Sequence, residues 1–382
     1  MMRSIAMLAC LCLLGPALAA EDIDSRLSAL EAEVAQLKAQ EPASSSAQDA
    51  AGLKLGLKST MVYQQLLGQG GEGAASRDLG AGTGSLDLLL DAAPLPWALA
   101  HVDLNVGGYQ GIDCLVSSDS KLNATWRSEE VEMVAREAYA TFKAGGTADL
   151  SLGLLDPADF IDENSLAGDE TSSFLAGLFV SNPVLEPPTH GAGLLATVGS
   201  ELLRAKVLAI NAQNTAVDPA SSVFMAAELA SAWNTASGAG GLRIWGRRRP
   251  VGADGEANAL GLSADQSLGP WGIFARFAKA WYPDDEAISA DAHDWALSAG
   301  LVCTGLGLRA GDPASQDSLG LAWGQDSLMD GDQEQVVEAR YCLPLGAHLL
   351  ASLHYQALYS RLQDGKALEP AQVLGSRLTL SY

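Results

Sequence analysis

The stretch LLASLHYQALYSRL, residues 349–362, decides the fold because apolar and polar side chains alternate along it. An alternation with a period of two is typical of a β-strand whose two faces meet different surroundings. The apolar face receives Leu349, Ala351, Leu353, Tyr355, Ala357 and Tyr359. The polar face receives Ser352, His354, Gln356 and Ser360. We therefore predict a strand here, with one apolar side and one polar side.

The same alternation occurs on both sides of this stretch. In QVVEARYCL, residues 335–343, Glu338 and Arg340 share one face, opposite apolar residues. In RLTLSY, residues 377–382, leucines alternate with Arg, Thr and Ser, and the last residue is the aromatic Tyr382. A sequence that finishes within a strand suggests that this strand closes a larger structure. We predict that Tyr382 lies at the closing terminus.

The first twenty residues, MMRSIAMLACLCLLGPALAA, have the pattern of a cleaved secretory signal peptide. One arginine precedes an apolar run, which ends before the small-residue pattern Ala-Leu-Ala at 17–19. The run is too short to span a membrane as a helix, so we predict export and removal of residues 1–20. The mature chain then retains Cys114, Cys303 and Cys342, which are too few for a disulfide framework.

The next two segments are expected to form a helix, at 21–40, and a flexible linker, at 41–52. The helix has apolar residues at alternating spacings of four and three, which is typical of a coiled-coil seam: Ile23, Leu27, Leu30, Val34 and Leu37. So short a seam is stable only when several copies are held together or when it docks on a partner. We expect self-association or a periplasmic partner through this helix; the alternative is a frayed amphipathic helix.

Charge and composition exclude several functional classes. The 382 residues include 23 Lys and Arg against 46 Asp and Glu, a net charge of −23, so we expect no binding to nucleic acid. The 40 glycines argue against a helical bundle. The five histidines do not have the spacing of zinc or iron ligands, and the sequence contains no nucleophile elbow, P-loop or dinucleotide fingerprint. We predict no metal, no cofactor and no enzymatic activity.

These features together predict an all-β, transmembrane antiparallel β-barrel in the outer membrane of a Gram-negative-type bacterium, over residues 53–382. In a closed barrel every backbone group is paired, so the chain can cross lipid without a long apolar helix. At about 20 residues per strand with its connection, this segment supplies about sixteen strands. A barrel of that size is wide enough to leave an aqueous lumen.

Four segments of the barrel region contain motifs that follow one another in a fixed order, at 150–183, 260–281, 297–324 and from Glu338 to the end. The first has an acidic pattern formed by Asp156, Asp162, Asn164, Asp169 and Glu170. The second has Gly-x-Phe-Ala-Arg, which ends at Arg276. These motifs resemble the carbohydrate-selective porin family (OprB-like). The resemblance implies a sixteen-stranded outer-membrane pore that passes sugars by diffusion.

The segment from Asp156 to Asn182 is too long for a simple turn. We predict that it folds into the lumen and narrows it, with acceptors for sugar hydroxyls or cations at Asp156, Asp162, Asn164, Asp169 and Glu170; the alternative is an external acidic loop. Alternation places Arg276, Glu338 and Arg340 on the lumen wall, where charge selects solutes. Their alternative role is ion pairing within the wall, without contact with solute.

The favoured function is passive diffusion of small hydrophilic solutes, with carbohydrates first among them. A general cation-preferring porin, a structural outer-membrane anchor tethered through residues 21–40, and a soluble periplasmic ligand-binding protein remain as alternatives. The basic cluster GRRRP, residues 246–250, is expected at a turn or an interface, where it contacts lipid phosphate or an acidic loop. Consecutive strand residues cannot all face one way, which disfavours a lumen site for all three arginines.

Overall fold

The computed structural model describes residues 52–67, 79–108, 111–116, 118, 120–125, 130–200, 202–212, 222–251, 255–282, 292–307, 316–363, 366–367 and 370–382. The predicted signal peptide, the coiled-coil helix and the linker up to residue 51 lie outside these residues. Those three assignments therefore stay predictions.

The described part of the chain is almost entirely extended. Its strands are β1 Leu53–Leu66, β2 Gly80–Leu95, β3 Ala98–Gly108, β4 Glu132–Ala144, β5 Ala148–Leu155, β6 Gly191–Gly199, β7 Leu203–Asn211, β8 Val223–Thr235, β9 Gly238–Val251, β10 Gly255–Leu268, β11 Trp271–Trp281, β12 His293–Thr304, β13 Ser318–Leu328, β14 Gln333–Pro344, β15 Leu349–Gln363, β16 Lys366–Ala367 and β17 Ala371–Ser381. The helical elements are short: three 3-10 turns at Gly111–Cys114, Pro157–Asp159 and Pro183–Leu185, and α1 at Gly177–Val180. Within the described ranges, no helix has the length and apolar character needed to cross a membrane.

The strands close into a single antiparallel barrel. Each strand pairs with its neighbours along the chain, and β17 returns to pair with β1, from Ser381 opposite Lys58 to Val373 opposite Leu66. The two-residue β16 only extends the hairpin between β15 and β17, so the described residues supply sixteen spanning strands. The prediction of an antiparallel barrel of about sixteen strands is confirmed. At the closing seam, the backbones of Tyr382 and Leu57 exchange two hydrogen bonds of 2.8 Å.

The predicted two-faced character of the strands is also confirmed. On β15, Leu353 and Tyr355 are exposed on the outer surface, whereas His354 and Gln356 are buried on the inner face. The outer surface as a whole is apolar, which matches the hydrocarbon it would meet in a bilayer. Large aromatic side chains are exposed at strand ends, namely Trp97, Trp271, Trp281 and Tyr382.

Short turns connect most strands at the barrel end that holds the beginning of β1 and the end of β17; the connection between β12 and β13 at this end, residues 305–317, is longer. Two long connections leave the opposite end and contact the inner faces of the strands. We call residues 156–190, between β5 and β6, the long inner segment, and the described residues of 109–131, between β3 and β4, the short inner segment. Their apolar side chains form a buried cluster with inward residues of the wall, and its largest members include Phe174, Phe179 and Leu122.

Candidate pore constriction

The long inner segment is irregular because polar side chains replace regular backbone pairing along it. The carboxylate of Asp156 accepts a hydrogen bond from the Ala158 amide at 3.0 Å and begins a 3-10 turn. Asn182 caps the next 3-10 turn in the same way, through the Val184 amide at 3.1 Å. Such side-chain caps allow a chain to stay ordered without a helix or a strand.

Asp162 joins the long inner segment to the barrel wall beside β9 and β11. Its carboxylate accepts a hydrogen bond from Nε1 of Trp245 at 2.9 Å and lies 3.0 Å from Nε of Arg276. Its backbone amide donates to Glu228 on β8 at 2.7 Å. Arg276 also donates to the carbonyl oxygen of Phe179. Asp162, Trp245 and Arg276 are all almost completely buried, so this contact is shielded from lumen water.

Glu338 anchors the opposite side of the same segment. It lies midway along β14, and its two carboxylate oxygens accept hydrogen bonds from the amides of Leu175 and Ala176, each at 2.8 Å. Two side chains of β15 also hydrogen-bond to this carboxylate: Nδ1 of His354 at 2.8 Å and Nε2 of Gln356 at 3.1 Å. A buried carboxylate is tolerated only when it is hydrogen-bonded in this way.

Arg340 and Arg377 hold the part of the segment that lies between these two anchors. Arg377 donates to the carbonyl oxygens of Glu170 at 2.6 Å and Ser173 at 2.8 Å. The guanidinium of Arg340 lies over the Phe174 ring, 4.9 Å from its centroid, in a cation–π contact. Both arginines therefore contact the inner segment, and both are buried beneath it.

The return of the segment to β6 is fixed by Glu186. Its carboxylate accepts hydrogen bonds from Tyr282 at 2.9 Å and pairs with Arg247 at 2.5 Å and Arg249 at 2.8 Å. These arginines lie inside strand β9, so the expectation of a turn is wrong, whereas the expected contact with an acidic loop is present. Arg248, between them, faces outward and pairs with Glu256.

The short inner segment was not singled out by the sequence, and it supports the long one. Its Asp113 accepts hydrogen bonds from the amides of Leu122 at 2.7 Å and Asn123 at 3.1 Å, and burial raises the pKa of Asp113 to about 7. Backbone hydrogen bonds of 2.7 Å join the two segments, from Ala124 to Leu175 and from Gly177 to Lys121. The sequence signal that could have indicated this segment is an Asp followed by polar turn residues. That pattern is common in ordinary loops, so it does not distinguish an inner segment.

The remaining predicted site residues lie along the long inner segment. Asn164 donates to the Ser263 hydroxyl at 3.2 Å and accepts from the Leu166 amide at 3.1 Å. Asp169 lies 3.5 Å from Nζ of Lys58. Burial acts to raise the pKa of Asp169, but Lys58 and the nearby hydroxyl and amide donors outweigh burial and lower it.

All eight predicted constriction residues thus belong to the inner segment or to the inner face of the wall. Six of them are buried: Asp156, Asp162, Asn164, Arg276, Glu338 and Arg340. Of these, Asp162, Arg276, Glu338 and Arg340 each contact the other side of the segment–wall interface. Among the described residues, no group of three His, Cys, Asp or Glu side chains is placed to hold a metal ion. Cys303 and Cys342 are buried free thiols.

Comparison with solved structures shows what this architecture is similar to. Pseudomonas putida OprB aligns with a TM-score of 0.70 at 12% identity, over 88% of this chain and 96% of that chain. The fold is that of the outer-membrane porins. An anion-selective porin of Comamonas acidovorans also has this porin fold, with a TM-score of 0.57 at 9% identity over 86% and 99% of the two chains. The outer membrane channel DcaP of Acinetobacter baumannii aligns with a TM-score of 0.54 at 10% identity, over 86% of this chain and 97% of that chain.

The resemblance to OprB-like porins that four sequence segments indicated is therefore confirmed at the level of the porin fold. No protein-family model matches the chain, and no curated protein matches it by sequence.

Proposed function

We propose that the protein is an outer-membrane porin through which small hydrophilic solutes, above all carbohydrates, diffuse passively. The observation that carries the proposal is the closed barrel with a 35-residue segment, 156–190, held against its inner wall by buried polar side chains. A sixteen-stranded barrel is too wide for side chains alone to fill. A segment fixed inside it sets the width of the passage that remains.

In this proposal the predicted charged residues divide into two groups. Asp162, Arg276, Glu338 and Arg340 hold the constriction in place through contacts within the protein. Asp156, Asn164, Asp169 and Glu170 belong to the segment that narrows the lumen. Width therefore depends on the first group. Asp156 and Asn164 are buried, so the polarity of the constriction depends on Asp169 and Glu170.

Carbohydrates are the favoured solutes because the inner wall offers hydrogen-bonding groups in place of a strong binding pocket. A sugar that enters the passage replaces hydrogen bonds to water with hydrogen bonds to wall carboxylates and hydroxyls. The net change in free energy is small, so the sugar can both enter and leave. The sequence resemblance to carbohydrate-selective porins supports the same solute class.

Placement in the outer membrane follows from the apolar outer surface, the predicted signal peptide and the shared fold. The barrel would contact outer-membrane lipid directly. The predicted helix at 21–40 would provide self-association or a periplasmic partner outside the bilayer.

A structural anchor is the second candidate, and one observation favours it. The inner faces of β11, β14 and β17 are packed by the inner segments, with Ala278, Glu338 and Val373 fully buried. A barrel filled in this way over its whole cross-section would hold a periplasmic tether in the membrane without passing solute.

Liposome swelling distinguishes these two functions. Vesicles containing the folded protein, verified by its heat-modifiable gel migration, are diluted into isotonic solutions of a monosaccharide, a disaccharide or a tetrasaccharide. A diffusion pore gives swelling rates that fall with solute size and exceed those of protein-free vesicles. Equal rates with and without folded protein would overturn the pore and leave the anchor.

A further inference from the structure

Burial of the inward-facing side chains is uneven around the barrel. On β11 and β14, every inward position between Gly272 and Ala280 and between Glu334 and Cys342 is buried under the inner segments. On the opposite wall, part of the inner face of β2 to β5 keeps contact with solvent: Asp91, His101 and Thr141 are not buried, whereas Asp103 and Glu137 are. The free part of the lumen therefore runs along β2 to β5.

Several ion pairs beside this free part have a carboxylate that is more exposed than its cation, although the same cations also pair with the buried carboxylates of Glu137 and Asp103. The Asp91 side chain is 58% exposed and its partner His101 is 21% exposed. The Asp159 carboxylate lies 2.9 Å from Nη2 of Arg136. The Asp159 side chain is 40% exposed, compared with 18% for the Arg136 side chain. In these two pairs the carboxylate is the more exposed partner.

The same difference in exposure occurs where the long inner segment crosses toward β7. Glu163 lies 3.1 Å from Nζ of Lys206, and the glutamate is 53% exposed while the lysine is 7% exposed. The Lys206 ammonium group also donates to the carbonyl oxygen of Phe160 at 2.6 Å and pairs with the buried Glu228 at 3.1 Å.

Carboxylates also outnumber cations at the wall of the passage. Arg136 alone is shared by Asp103, Asp156 and Asp159, at 2.8, 3.6 and 2.9 Å. Asp103 is completely buried, and its Oδ1 atom has no hydrogen-bond partner among the described residues. A negative charge excess in a narrow, low-dielectric passage attracts cations and repels anions, because the surrounding protein focuses the field into the water.

We propose that the free passage is cation-preferring, and that Asp91 and Asp159 beside β2 to β4 and Glu163 beside β7 set this preference. The inference rests on the proposed pore and specifies its solutes: neutral sugars and small cations pass, whereas anionic solutes are disfavoured. Arg136, His101 and Lys206 act as positioning residues that hold the three carboxylates at the water surface.

The reversal potential in a KCl gradient across a planar bilayer measures the preference directly. Wild-type channels are expected to be more permeable to K⁺ than to Cl⁻. The triple variant Asp91→Asn, Asp159→Asn, Glu163→Gln is expected to lower that permeability ratio by about twofold or more. The control is Glu256→Gln, which removes the charge of an exposed carboxylate that pairs with outward-facing Arg248, and it is expected to leave the ratio unchanged.

The outcomes separate this inference from the pore itself. Conducting wild-type channels that prefer Cl⁻, or a triple variant with the wild-type ratio, would overturn the cation preference and leave the porin intact. Absence of current from folded protein would overturn both. Equal effects of the triple variant and Glu256→Gln would assign the preference to overall charge and would also overturn the inference.

Chemical modification tests the location of the passage separately. Thr141 lies on the inner face of β4, and a methanethiosulfonate reagent attached to Thr141→Cys should reduce the single-channel current. Wild-type protein treated in the same way controls for the native cysteines, of which Cys303 and Cys342 are buried. An unchanged current after labelling verified by mass spectrometry would contradict a passage along this wall.

Discussion

Glu338 on β14 and His354 on β15 form a completely buried pair, with 2.8 Å between Oε1 and Nδ1. The same carboxylate accepts the amides of Leu175 and Ala176, so a contact between two wall strands is also the point where the inner segment is attached. A neutral side chain cannot satisfy this set of donors. The pair therefore connects barrel stability to the position of the constriction.

Glu338→Gln is expected to destabilise the folded barrel by about 1–3 kcal/mol, because an amide has one acceptor oxygen and leaves a buried N–H unpaired. Urea unfolding in detergent micelles or lipid vesicles measures the change. Glu256→Gln, the same chemical change on the outer surface, should alter stability by no more than about 0.5 kcal/mol. Equal effects of the two substitutions would contradict the anchoring role of Glu338.

Asp162→Asn is expected to have a larger effect, a loss of about 3–5 kcal/mol, because it leaves the buried guanidinium of Arg276 without its carboxylate. Urea unfolding gives the stability, and single-channel recording should reveal added current noise from a loosened segment. A loss below about 1 kcal/mol with quiet channels would show that Asp162 does not hold the segment.

Gly261→Ala tests the packing behind Asp162. A Cβ atom at this position would overlap Cε2 of Trp245, whose Nε1 donates to Asp162, so the indole must move. A loss of about 1–3 kcal/mol is expected from this overpacking. Gly346→Ala is the control, because a Cβ atom there meets nothing within 4 Å. Unchanged tryptophan fluorescence and stability in Gly261→Ala would contradict the close contact.

Asp113 gives a pH dependence whose sign follows from its raised pKa. Burial raises this pKa from 3.8 to about 7, so between these values the unfolded chain is ionised while the folded barrel keeps the proton. Raising the pH through this range therefore lowers stability, and the loss is complete above about pH 7. Asp113→Asn should remove this contribution. The free energy of unfolding of the wild-type protein and of Asp113→Asn, measured at pH 4.5 and 7.5, tests this prediction. A stability difference between the two proteins that is the same at both pH values would contradict it.

The sequence allowed the barrel and its faces to be predicted because a period of two is a local signal. Alternation alone assigned His354, Glu338 and Arg276 to the inner face, and length alone gave the number of strands. The contact of Glu338 with Leu175 joins residues 163 positions apart, and no local pattern encodes such a pairing.

Two features escaped prediction for related physical reasons. The short inner segment has the composition of an ordinary loop, and its role depends on Gln64 and Gln356, which both donate to the carbonyl oxygen of Leu122. The arginines of β9 remain in a strand because Glu186, distant in sequence, receives Arg247 and Arg249 from the inner face. Only the closed barrel brings these residues together.

The central claim is that a water-filled barrel is narrowed by the long inner segment, and single-channel conductance tests it most directly. Wild-type protein and a variant lacking residues 163–175, both verified as folded, are compared in planar bilayers with and without added disaccharide. The account predicts stable wild-type currents that sugar reduces in a concentration-dependent way, and a larger, less sugar-sensitive current for the deletion. No current from folded wild-type protein, or an identical conductance for the two proteins, would contradict it.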